Sequence, residues 1–133
     1  MTINIAWDNK FAIGHERIDA EHRIFLNLIR TLSQETANAA SRQRIERTLQ
    51  EIYKYADFHF TSEENIMADI AYPGLAEQED AHGRLLAQLK AEMHDYWAGS
   101  QTPDAIVAFI FQWFALHTTQ DDKLIADFLV ANA

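Results

Sequence analysis

The chain has 133 residues, with 20 acidic against 11 basic residues and a formal charge of −9. It has no Lys/Arg cluster, which argues against nucleic acid or anionic lipid as partners, and no cysteine, which excludes disulfides and thiolate metal sites. No apolar run reaches the roughly 18 residues a membrane span needs, and MTINIAWDNKFAIGHE lacks a basic stretch followed by an apolar one, so the expectation is a single cytoplasmic domain, 1–133, without a membrane segment.

Residues 1–17 read as an irregular arm anchored by Trp7, Phe11 and Ile13. A first helix is expected from about Ile18 to the small-residue patch at Asn38-Ala39-Ala40, with the seam Ile18, His22, Phe25, Ile29, Leu32. Ser41 is a natural N-cap for a second helix running to about Ile70. Its seam is Ile45, Leu49, Ile52, Ala56, His59, Glu63, Ile66. Tyr72-Pro73-Gly74 forms a turn, and a third helix follows to about Trp97, with Leu75, Gln78, His82, Leu85 and Leu89 in register. Gly99 ends it, and Thr102-Pro103-Asp104 starts a fourth with an N-cap, a proline at the first helical position and an early negative charge. That helix carries Ile106, Ile110, Trp113 and His117, and a short C-terminal helix is expected near Asp121–Val130. Four helices of about 20 residues joined by short connections make an all-α, antiparallel up-down-up-down four-helix bundle over about 18–130.

Each of the four seams contains a histidine: His22, His59, His82 and His117. Glu63 follows His59 by one turn, and Gln78 precedes His82 by one turn. Residues four apart differ by about 40° in direction, so such pairs can converge on one ion. A lone histidine on an apolar face is ordinarily a hydrogen-bonded core residue. Four of them, one per helix and joined by a carboxylate, would cost several kcal/mol each if buried without partners, and a metal supplies the partner. Imidazole and carboxylate without thiolate suit iron, manganese or zinc, and the inventory exceeds one ordinary zinc site. It suits two irons bridged by carboxylates in a bundle core. His15 and His94 lie off the seams and are assigned surface or structural roles. Glu21 and Glu64 neighbour the candidates but point away from the seams and are assigned to solvent.

In order and spacing, Trp7 with IGHERIDAEH, HFTSEENIM, YPGLAEQEDAH and HTTQDDK resemble the bacterial members of the hemerythrin family, oxygen-binding proteins with a non-heme di-iron centre. The resemblance covers nearly the whole chain. It implies two iron ions bridged by carboxylates and an oxo or hydroxo group. His22 and His59 would hold the iron where oxygen binds, His82 and His117 the other, with Glu63 and Asp122 bridging. In a regular helix His117 and Asp122 would stand about 140° apart, so the family spacing implies a bulge near Thr118-Thr119. Asp121 is the second choice.

The family's third-helix motif is histidine, three residues, histidine, and here Gln78 occupies the first position. Gln78 coordinates through its oxygen, or Glu79 swings in, or water fills the place. The last case implies weaker metal retention, faster autoxidation and peroxide or oxidase-like chemistry. Thr118 stands where the family usually has an aliphatic residue; its hydroxyl serves either a bound ligand or its own backbone. Phe25, Phe60, Trp113 and Phe114 are candidates for a dry pocket wall beside Thr118. The leading reading is a monomer that binds dioxygen reversibly for storage, delivery or sensing. The others are a di-iron peroxidase or oxidase, and a sensor of oxygen, nitric oxide or iron.

Overall fold

A computed structural model of the chain describes residues 5–132. The first four residues of the expected arm, and Ala133, lie outside them. The described part is helical: α1 Glu16–Ala37, α2 Arg42–Asp69, α3 Leu75–Trp97, α4 Pro103–Leu116 and α5 Asp122–Ala131. A 3-10 turn, Asn9–Phe11, precedes them, and a π-helical turn, His117–Asp121, joins α4 to α5. No strand occurs among the described residues, and none of their helices is long and apolar enough to cross a membrane.

The boundaries follow local chemistry. Ser41 and Thr102 cap α2 and α4 by accepting from the amides of Arg44 and Ala105. α1 begins two residues before the expected Ile18, because His15 acts as its N-cap through Nδ1. The Asp19 carboxylate reaches back to the amides of Ile13 and Gly14 at 2.7 and 3.2 Å, fastening the arm to the first turn. α1, α2 and α3 all end in a left-handed residue that lets the next amide return to a carbonyl five residues earlier. Gly99 takes that conformation without strain (φ 84°), whereas Ala39 and Ala71 adopt it at φ 54° and 56° despite their Cβ atoms.

α1 packs on α2, α2 on α3, α3 on α4 and α4 back on α1, closing an up-down-up-down bundle. Every residue of the α1 and α2 seams is buried. The apolar interior has two parts. The larger, from Phe25 to Trp113 and Phe114, fills most of the bundle, and the smaller joins Ile13, Ile18, Ile66, Met67 and Ile125. A fully buried Leu, Ile or Phe contributes about 1.5–3 kcal/mol, so the two parts can carry a polar layer set between them. That layer is where the histidines lie.

Candidate metal centre

His22 on α1, His59 and Glu63 on α2, His82 on α3, and His117 at the start of the π turn all reach this layer. Their exposure is 4% or less, and Asp122, the first residue of α5, joins them at 0%. The π turn explains why Asp122 arrives. Its amide bonds to the carbonyl of His117, five residues back, so the wide turn absorbs the extra residue that would have sent the carboxylate to another face. The carbonyls at the junction receive side-chain donors instead. Thr118 Oγ1 donates to Phe114 O at 3.0 Å, and Thr119 Oγ1 donates to Ala115 O at 2.6 Å.

The six side chains form two donor sets that share their carboxylates. One is His22, His59, Glu63 and Asp122; the other is His82, His117, Glu63 and Asp122; within each, one ligand atom per residue lies within 4.8 Å of the rest. Each carboxylate splits its oxygens between the sets. Glu63 Oε2 lies 3.3 Å from His59 Nε2, and Asp122 Oδ2 lies 3.0 Å from His22 Nε2. On the other side, Glu63 Oε1 lies 2.9 Å from His82 Nε2, and Asp122 Oδ1 lies 3.2 Å from His117 Nε2. The Nε2 atoms of His22, His59 and His117, Glu63 Oε2 and both Asp122 oxygens are buried without a hydrogen-bond partner. Orphans of this kind are costly, and a pair of cations bridged by Glu63 and Asp122 would satisfy them together, so the residues fit such a pair.

The opposite nitrogen of every ring is held. His22 Nδ1 donates to the carbonyl of Phe11 in the arm at 2.8 Å. His59 donates to Glu21 at 2.7 Å, His82 to Glu64 at 2.7 Å and His117 to Asp121 at 3.0 Å. These bonds fix the ring orientation and aim each Nε2 inward. Burial opposes ionisation of Glu63, but the facing His117, His59 and His82 outweigh it and hold the carboxyl well below its usual range. Burial likewise opposes a charge on His59, yet Glu21 and Glu63 raise it to about 9. His117 is raised well above its ordinary value: burial opposes it, and Asp122 and Asp121 prevail. Without metal, the raised values of His59 and His117 favour protons on those two rings where cations would sit.

The sequence matches the hemerythrin HHE cation binding domain over residues 13–129. The chain belongs to the hemerythrin family. It is 24% identical over 123 residues to a bacteriohemerythrin of Stenotrophomonas maltophilia, covering 92% of this chain and 80% of that protein. Against a myohemerythrin of Theromyzon tessulatum it is 30% identical over 84 residues, 63% of this chain and 64% of the other. In fold it resembles the crystal structure of a wild-type hemerythrin, with a TM-score of 0.82 at 23% identity, covering 94% of this chain and 97% of that one.

Within this hemerythrin-family fold several expected placements change. Glu21 does not face solvent, and Glu64 faces it only in part. Glu21 is buried and accepts from His59, Ser62 Oγ and Arg17 Nε, while Glu64 turns inward to His82 with its side chain 27% exposed. The helical phase of each is solvent-side, but a two-methylene side chain reaches sideways to a ring on the neighbouring helix. A carboxylate adjacent to a seam position was the available signal. Asp121 lies outside both donor sets and bonds to the outer nitrogen of His117. Glu79 is exposed and also outside both sets. Gln78 is buried; its Nε2 donates to the carbonyl of Asp121 at 2.8 Å, tying α3 to the π turn, and its Oε1 has no partner. The Thr118 hydroxyl serves the backbone. His94 is exposed and His15 is a helix cap.

The aromatic residues line the layer. Phe60 stacks on His82 with ring centres 4.1 Å apart and planes 8° apart, and stands edge-on to His117. Phe114 is edge-on to His22 and stacks on Phe25, which also stacks on Trp113. A cleft of about 200 Å3, whose lining includes Leu85, Trp113, Leu116, His117 and Asp121, lies beside the second donor set.

Proposed function

We propose that this chain is a non-heme di-iron protein that binds dioxygen reversibly. The observation that carries the reading is the division of each buried carboxylate between two histidine pairs, with the inward atoms left unpaired. His22 and His59 would hold one iron, His82 and His117 the other, and Glu63 and Asp122 would bridge them. When bound, such a pair supplies two electrons that can be lent to dioxygen and recovered on its release.

The chain's own residues determine whether that exchange stays reversible. Phe60 packs on His82 and His117 and Phe114 on His22, with Phe25 and Trp113 packed against them, and these apolar rings limit the approach of water and protons, which promote loss of reduced oxygen species, from their side of the layer. The outer hydrogen bonds keep the imidazoles in one tautomer and orientation. Membership of a cation-binding domain family and likeness to a bacteriohemerythrin support the reading.

A second reading rests on Gln78 and the cleft beside His117. A neutral oxygen in place of an imidazole, together with a separate opening of about 200 Å3 at His117, favours peroxide reduction or substrate oxidation at the second set. Absorption spectra of the iron-loaded protein separate the two. Bands that appear with oxygen and vanish on its removal, over repeated cycles, support carriage. Irreversible bleaching with turnover of added peroxide supports the enzyme. A protein that takes up no iron refutes both.

A further inference from the structure

The outer hydrogen bonds are distributed unevenly. In the first donor set, one histidine is held by a backbone carbonyl (His22 by Phe11) and the other by Glu21, whose charge is shared with Arg17 at 3.0 Å. In the second set both histidines are held by carboxylates, Glu64 on His82 and Asp121 on His117. Among the described residues neither Glu64 nor Asp121 has a Lys or Arg partner in an ion pair; the imidazole is the partner of each. The second set is also the one beside Gln78, which ties down the very π turn that carries Asp121. Each set has two imidazoles, and the set in which Gln78 stands where the family motif has a further histidine has the richer outer carboxylates.

The chemistry gives this arrangement a direction. A carboxylate that accepts Nδ1–H draws the proton outward and makes the ring a stronger donor through Nε2. The gain is greater toward a more highly charged ion. Two such rings offset part of what a missing imidazole would have supplied.

We propose that Glu64 and Asp121 are positioning residues of the second iron site, which fix and enrich His82 and His117 so that two imidazoles suffice beside Gln78. This rests on the di-iron reading above. The test compares the full-length protein with Glu64→Gln and Asp121→Asn, and with Glu21→Gln as the variant directed at the first site. Metal-free protein is titrated with ferrous ions without air against a competing chelator, giving iron per chain and two stepwise constants. The potential of the loaded protein is then measured, and the shifted, exchangeable Nδ1–H proton signals are counted by NMR. Both amides can still accept the imidazole proton and both side chains reach solvent, at 27% and 42% exposure, so the substitutions remove charge with little change of shape. Glu64→Asp, which keeps the charge, is the rescue variant.

The expected result is a 10–100-fold weakening of one iron step in Glu64→Gln and Asp121→Asn, with the other step unchanged. The potential should rise, and Glu64→Asp should recover part of the loss. Glu21→Gln should weaken the other step. Affinities within threefold of the parent and an unmoved potential would overturn the proposal. So would equal weakening of both steps, or a metal-free variant that has lost its helical signal, since either marks general damage. If the parent itself binds no iron, the di-iron reading fails instead.

Discussion

Stripping the metal should cost this protein a large part of its stability, and the structure sets the scale. Six inward atoms, on His22, His59, His117, Glu63 and Asp122, are buried without hydrogen-bond partners; at about 1–3 kcal/mol each, they hold a reserve of at most about 10 kcal/mol, part of which protons on His59 and His117 offset when metal is absent. Mass action decides how much is released: about 2.7 kcal/mol per site when free ion exceeds the dissociation constant a hundredfold, hence about 5 kcal/mol for two sites. With unfolding entropy near 2.1 cal/mol/K per residue, the 133-residue chain should melt about 15–20 °C higher when loaded. The assay is thermal unfolding by circular dichroism under anaerobic conditions, with ferrous ions and then with chelator. Glu63→Ala and Asp122→Ala, which each remove a bridge, should lose most of the shift. A rise of less than about 3 °C in the parent protein, or an equal rise in the two variants, would refute the reasoning.

Without metal, stability should fall as pH rises. Burial opposes a charge on His59, but Glu21 and Glu63 lift it from 6.5 to about 9; that contribution, on the order of 3 kcal/mol, is complete below about pH 6.5 and gone above about 9. Urea midpoints of the apo protein between those values check this, and a flat profile contradicts it. Phe60→Leu should cost about 1–2 kcal/mol in denaturant unfolding, because it removes the ring stacked on His82 while keeping most of the buried volume. A neutral outcome would show that the stacking contributes nothing. Ala39→Gly should stabilise by about 0.5–1 kcal/mol, since Ala39 is exposed and left-handed at φ 54°; a loss of stability would count against strain there.

Helical periodicity carries most of the fold because each seam repeats at three and four residues and each boundary has a capping residue such as Ser41 or Thr102. The four histidines and Glu63 are legible for the same reason, since each breaks an otherwise apolar stripe. Asp122 is legible through resemblance alone, because the π turn that delivers it contradicts regular helical phase. Glu21 and Glu64 escape a one-dimensional reading. They stand about 100° from a seam position, where solvent is the default, and their partners lie on other helices. Asp121 illustrates the converse: its i+4 phase from His117 is right for contact, and the contact falls on the outer nitrogen rather than the inner one.

The segment before the first helix is fastened at several points. Arg30 holds the carbonyl of Ile5, the Arg23 guanidinium lies 3.9 Å from the centre of the Trp7 ring, and the carbonyl of Phe11 receives the His22 proton. Trimming the chain back to Glu16 would therefore leave a ring inside the bundle free to swivel, although no residue of the donor sets had been cut. A purification handle fused close to Trp7 would pull on the same leash, so variants that shorten or crowd this stretch should be judged by their metal content before their helicity.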